Sequence, residues 1–212
     1  LSAGLAATLV CGAAMAGAQQ YEPLADSVRT ALAAQIRGNN KLPQAQFDSP
    51  LQKVDWLDKM SQRLPRRWKP TYQERIDFLN TLHYEATRAG LDPQLVLAVI
   101  QVESNFRRYA ISSAGARGYM QVMPFWADLI GNNNAASLFD MRTNLRFGCV
   151  ILRYYLDKEK GNLFRALGRY NGSLGKAKYP NLISKAQKRW AYRWQPPAGT
   201  ARAPQLLETA PK

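Results

Sequence analysis

From Thr71 onward, apolar residues recur three and four positions apart, and a chain with that spacing folds as helices. Ile76, Leu79, Leu82, His83 and Ala86 share one side of a helix that a capping box, Thr71 with Glu74, opens and Gly90 stops. Asp92 and Pro93 open the next, with an acid at the cap and proline in the first turn. Residues 138–158, 163–170 and 183–192 carry further helical patterns, punctuated by Gly161, Gly172 and Pro180. No run alternates as strands do, and there is no internal repeat. The expected fold class is therefore mainly α, with the main domain over residues 71–195. Residues 19–70 read as a helical region and linker. There, 26–36 and 53–64 predict helices, the first stopped by Gly38-Asn39-Asn40 and the second by Pro65.

The two ends differ in kind from this middle. Residues 1–18 carry no charge, hold a short apolar run and finish on Ala16-Gly17-Ala18, the pattern of a signal-peptide cleavage site. Export to the periplasm is the expectation. An uncleaved anchor is the alternative, and lipidation at Cys11 is disfavoured by Val10 where a small residue is wanted. Residues 196–212, rich in Pro, Ala and Thr, read as a disordered tail. Cys149 is then the one thiol left, in an apolar stretch that predicts burial. With a single His in the chain, a His-rich zinc centre is not available, and metal-dependent wall amidases and endopeptidases are poorly supported. His83 reads as packed rather than catalytic.

Lys and Arg number 29 against 15 Asp and Glu, a net charge of +14. That balance favours anionic partners: nucleic acid, anionic lipid or the carboxylate-bearing bacterial wall. The densest basic cluster is Arg63, Arg66, Arg67 and Lys69, beside Trp56 and Trp68. It reads first as a solvated helix end docked on the main domain, and second as a contact for an anionic polymer. A nucleic-acid binder is disfavoured, because no aromatics interleave with the basic residues in a recognisable module.

The chemistry concentrates on one acid. In a helix over residues 93–106, Glu103 falls on the face of Val96, Val99, Ile100 and Phe106, opposite Gln94, Gln101, Asn105 and Arg108. A carboxyl buried there loses hydration, its pKa rises and it holds a proton near neutral pH, as a general acid must. The competing reading is an ion pair with Arg107. After Glu103-Ser104 comes a loop, 112–124, in which Gly115 and Gly118 leave room for the close approach of a polymer. Ser112 and Gln121 there offer groups that suit sugar hydroxyls and acetamido groups, and Met120 and Met123 suit either a core or a cleft. Tyr170-Asn171-Gly172 ends a later helix and can reach the same cleft.

These pieces together resemble the soluble lytic transglycosylases with the lysozyme-like, SLT-type catalytic domain. The resemblance spans residues 91–181. It rests on Glu103-Ser104, on Gly115-Ala116-x-Gly118-x-Met120-Gln121-x-Met123-Pro124, on Asn144-Leu145-x-Phe147-Gly148 and on Tyr170-Asn171-Gly172, in the family's order. It implies a lysozyme-like helical fold with a substrate cleft, Glu103 as catalytic acid and then base, and Ser112, Gln121, Met123 and Tyr170 as cleft residues, with Met120 and Asn171 beside them. The implied substrate is the peptidoglycan glycan strand, cut between N-acetylmuramic acid and N-acetylglucosamine with a 1,6-anhydro product. It implies no cofactor and no metal. A monomer is expected, with recruitment by wall or secretion machinery open. Two departures stand out. Gly168-Arg169 precedes Tyr170, and Gly172-Ser173 follows Asn171, where the family usually has other small residues; Tyr119 replaces the commoner Leu. A hydrolytic lysozyme would need Asp128, Asp92 or Asp140 opposite Glu103. A non-catalytic wall-binding scaffold is the remaining rival.

Overall fold

The computed structural model describes residues 19–37, 45 and 47–196. The expected signal peptide, the Gly38-Asn39-Asn40 stop and nearly all of the C-terminal tail lie outside these. Eight α-helices follow in order: α1 (Asp26–Arg37), α2 (Pro50–Arg63), α3 (Tyr72–Arg88), α4 (Pro93–Glu103), α5 (Phe125–Ile130), α6 (Met141–Lys158), α7 (Leu163–Tyr170) and α8 (Lys178–Trp190). Among the described residues there are no strands, only isolated bridges of Arg117 to Ile111 and to Val122. The chain is mainly helical, as its periodicity dictates.

The caps fall where side-chain chemistry puts them. Thr71 and Glu74 close their capping box on α3, and Gly90 leaves it at φ +67°. Asp92 caps α4 through the Gln94 amide. Several boundaries differ from expectation. Helix α2 begins at Pro50 instead of 53, because Ser49 caps it and proline suits its first turn. Leu138 belongs to a separate 3₁₀ turn, Ala135–Phe139, since Asp140 caps α6 afresh. Pro180 does not punctuate α8 but sits third in it, where its missing N–H costs no helical bond.

Helix α4 is the centre. Leu95 to Ile100 are all buried, so the helix is covered on every side, not on a single stripe. Helix α8 packs along it, α3 flanks it, and α6 joins α3 to α7. The periodicity predicted this helix to 106, but it ends at Glu103. Asn105 and Phe106 take left-handed backbone, φ 49° and 64°, which turns Phe106 back into the core against Phe78 and Trp190. Helices α1 and α2 add Leu32, Trp56, Leu57 and Met60 to the same core. Cys149 is buried, as read. His83 is packed too, stacked on Phe47 and edge-on to Trp56, and desolvation lowers its pKa to about 4.

One buried acid ties three helices. Glu85 on α3 is 1% exposed and accepts from Arg88 (3.1 Å), Arg142 (3.3 Å) and Arg146 (3.0 Å). Arg146 also donates to the Ile36 carbonyl and Arg88 to that of Gln35, fastening the last turn of α1 to α3 and α6. Guanidinium groups at a helix C-terminus meet its free carbonyls, so the charges serve twice. Neutralising such an acid leaves buried guanidinium charge uncompensated. Glu85→Gln is expected to cost about 3–5 kcal/mol in urea unfolding at neutral pH.

Candidate active site

Glu103 ends α4 and is 5% exposed. Its Oε1 accepts a hydrogen bond from the Tyr179 hydroxyl at 2.5 Å, and it makes no ion pair among the described residues. The alternative partner, Arg107, is exposed and donates instead to the Ser104 carbonyl at 3.0 Å. Burial pushes the Glu103 carboxyl up to about 8, against the Tyr179 hydrogen bond, which pulls it down. Both Tyr179 and Tyr170 are driven well above the ordinary phenol range, first by burial and then by the charge of Glu103. The three groups form one electrostatic unit around an acid that is protonated at neutral pH.

The motif loop is braced against this acid from behind. Ser104 donates to the Tyr119 carbonyl at 2.7 Å. Asn144 on α6 accepts from the Met120 amide and donates to the carbonyls of Arg117 and Leu138. Tyr170 donates to the Met120 carbonyl at 2.8 Å. Gly118 is required by packing and not by a polymer: a Cβ there would lie 2.3 Å from Asn144 Nδ2, and its φ is +75°. Gly115 takes a turn at φ +86° with open space around it. Gly148 matters equally, since a Cβ on it would meet Met120 Sδ at 2.3 Å.

The residues expected to line a cleft divide into two groups. Met120 is fully buried, so its side chain fills core and only its carbonyl serves the site. Gln121 is also buried, and its amide nitrogen is spent on the carbonyls of Ala110 and Gly118, holding the loop rather than offering itself to a sugar. Half-buried Ser112 accepts from the Ala116 amide at 3.0 Å. Met123 is half-buried, and Tyr170 reaches the acid electrostatically. Asn171 is buried with its Nδ2 lacking any protein partner, and so is the Ser173 hydroxyl. Both line a cavity of about 260 Å³ with Lys176, Lys178, Tyr179 and Leu182. Tyr179 thus stands between this cavity and Glu103, and no acid lines the cavity.

Tyr179 was not among the residues singled out from the sequence. Its signal was present: Tyr179, Ile183, Ala186 and Trp190 form one buried stripe of α8, with Tyr179 at its head. Gln19 was missed as well, and nothing in its neighbourhood marks it. It is 4% exposed, donates to the Gln121 carbonyl at 3.5 Å and accepts from the Met123 amide at 3.3 Å. Of the acids a hydrolase might use, Asp92 and Asp140 cap helices α4 and α6. Asp92 starts α4 and Glu103 ends it, which separates the two by about 16 Å. Asp128 is exposed on α5. Among the described residues, no three His, Cys, Asp or Glu side chains converge on a metal-sized site.

A mainly helical domain with a lone buried acid at the end of its central helix is the arrangement expected of the lysozyme-like class. The Transglycosylase SLT domain family matches residues 80–193, more than half of the chain, and the chain belongs to that family. Among similar proteins, "Transglycosylase" of Enterobacteria phage PRD1 is 34% identical over 117 residues, covering 52% of this chain and 43% of that protein. "Membrane-bound lytic murein transglycosylase C" of Histophilus somni (strain 2336) is 32% identical over 113 residues, covering 46% of this chain and 31% of its own length. The protein of that name from Mannheimia succiniciproducens is 37% identical over 79 residues, 34% of this chain and 22% of the relative. The chain therefore spans less than half the length of the curated relatives it matches. No helix among the described residues is long and apolar enough to cross a membrane.

The raised carboxyl has a consequence for stability. Folded Glu103 titrates near 8 and the unfolded residue near its ordinary 4.5, so between these values the folded state binds more protons. Stability from this group is fully present below the lower value and declines as pH rises to the upper one. Glu103→Gln removes the decline. The variant is expected to exceed the parent in stability at pH 8, by on the order of 2–4 kcal/mol, in denaturant titrations repeated at pH 5 and pH 8.

Proposed function

We propose that this protein is a peptidoglycan lytic transglycosylase in which Glu103 serves as the single acid and base. The observation that carries the reading is the buried carboxyl at the end of α4, held by one phenol, raised in pKa by burial and without an ion pair among the described residues. Such a group can protonate the glycosidic oxygen between N-acetylmuramic acid and N-acetylglucosamine. The carbon–oxygen bond breaks, and the muramoyl 6-hydroxyl attacks the same anomeric carbon. Glu103, now a carboxylate, takes the hydroxyl proton. The product is a 1,6-anhydro ring and no water is consumed. An internal nucleophile is already tethered beside the reacting carbon, so no carboxylate is needed to place a water.

Tyr179 keeps the carboxyl aimed and hydrogen-bonds the carboxylate once the proton has gone. Tyr170 braces the loop at Met120, and Asn171 brings a free donor suited to a sugar oxygen. In this reading residues 71–195 form the catalytic domain, 19–70 a helical cover, and the protein meets its substrate on the periplasmic side. The names of the murein transglycosylase relatives support the same substrate. The Gln19 carboxamide presents the N–H and C=O of a sugar acetamido group and uses the Gln121 carbonyl and Met123 amide that such a group would use. Glycan entry then displaces Gln19. Gln19→Ala is expected to raise kcat/KM on glycan strands two- to fivefold, in steady-state assays, by removing a weak competitor.

The decisive experiment is mass spectrometry of the soluble products from peptidoglycan sacculi. Muropeptides ending in 1,6-anhydro-muramoyl groups are expected from the parent and none from Glu103→Gln. Reducing ends, one water heavier, would make the protein a lysozyme instead. An absence of products from the parent would leave a wall-binding protein.

A further inference from the structure

A second, larger pocket lies on the other side of the motif loop. It encloses about 650 Å³, and its floor is formed by Lys69 and Tyr119. Lys69 came from the sequence's densest basic cluster and Tyr119 is the departure from the family's Leu. The structure takes the cluster apart. Arg66 and Arg67 stay exposed, and Arg63 donates to the Ala191 carbonyl, whereas Lys69 is only 5% exposed and turns inward.

The Lys69 ammonium has three donors and, among the described residues, one hydrogen-bond partner, the Tyr119 hydroxyl at 2.7 Å. Its remaining surroundings are ring faces, Phe78 at 4.3 Å and Tyr119 at 4.5 Å. It has no salt bridge among the described residues. Burial lowers its pKa to about 8, which leaves it charged at neutral pH. Glu74 acts on it only through space, beyond ion-pair distance, and Arg108 opposes that attraction. A buried cation with no anion in contact is costly, and it is the kind of feature a protein keeps for a ligand.

The rim completes the pattern. Trp68, Tyr109 and Ile111 line the pocket while 39%, 69% and 66% exposed, with Arg67 over the Trp68 ring and Arg108 over that of Tyr109. Arg107 and Arg108 line it as well, together with Glu74 and Asp77, one turn apart on α3. Glu74 is engaged by Thr71 and Asp77 by Gln73, and each carboxylate keeps acceptor capacity. A polyphosphate would be repelled by the two acids, and a neutral sugar has no use for a buried ammonium. A ligand that carries both charges suits a lining that holds both signs.

We propose that this pocket binds a zwitterionic residue of the peptide carried on the glycan strand, its carboxylate on Lys69 and its ammonium toward Glu74 and Asp77. This rests on peptidoglycan being the substrate. The pocket shares its wall with the site: the Tyr119 carbonyl accepts from Ser104, next to Glu103, and the Ala110 carbonyl accepts from Gln121. A peptide seated here sets which sugar of the strand meets the acid. Lys69 is thus a substrate-positioning residue for the peptide and takes no part in the bond cleavage.

Two measurements test this. In the first, kcat and KM are determined on soluble glycan strands with intact peptides and on the same strands stripped of peptide. Lys69→Met is expected to raise KM about tenfold on peptide-bearing strands, the scale of one lost charge-assisted hydrogen bond, with kcat unchanged and stripped strands unaffected. An equal loss on both substrates, or none on either, overturns the proposal. In the second, a free tetrapeptide stem carrying a diamino acid with its amine free is titrated calorimetrically into Glu103→Gln protein. Saturable binding is expected, lost when the peptide carboxylates are amidated and weakened when its amine is acetylated. Binding that ignores both modifications, or no binding, overturns it. This arm needs no change at Lys69, so misfolding of that variant cannot obscure it. Should the parent cleave neither kind of strand, the catalytic reading fails while the titration still decides the pocket.

Discussion

The arrangement depends on keeping one carboxyl out of water without giving it a cation. Helix α4 makes this possible because it is buried on all sides, from Leu95 to Ile100, and Glu103 is its last residue. An acid in the middle of that helix would have no route to substrate, and one beyond its end would be hydrated. At the final turn it meets apolar surroundings on one side and a phenol on the other. Desolvation then raises its pKa more than the Tyr179 hydrogen bond lowers it. The site is built by withholding charge from its neighbourhood in a chain of net charge +14.

The second buried glutamate shows the opposite solution. Glu85 is as well hidden as Glu103, but Arg88, Arg142 and Arg146 converge on it and on the end of α1. It is a joint between helices, and its protein partners satisfy it completely enough to leave no chemistry. Burial alone therefore does not keep an acid away from cations. What separates the two is the identity of the partners: guanidinium groups in one case, a phenol in the other.

The motif loop is a rigid piece by the same reckoning. Ser104, Asn144 and Tyr170 each take backbone groups of residues 117–120, and Gly118 and Gly148 let the loop and α6 touch without side chains between them. Several polar residues of the motif thus hold the loop in place and leave the Gln121 carbonyl and the Met123 amide to Gln19. The Lys69 pocket borders the same loop at Tyr119.

Much of this was legible from residue order, and the division has a physical basis. Local rules determined the helices, their caps and the apolar face that implicates Glu103, because capping and periodicity act over a few residues. Packing of His83 and Cys149 followed from their apolar neighbours. Contacts between distant segments were not legible. Tyr179 reaches Glu103 across 76 positions and Gln19 reaches Gln121 across 102. The basic cluster looked continuous along the chain, yet Lys69 turned inward while Arg66 and Arg67 stayed out, because Tyr119 and Phe78 provided ring faces only once α3 and the loop had docked. Local sequence determined which groups lie on one face of a helix; the tertiary structure decided which of them lose water and whom they meet, and those two things set the charge each one carries.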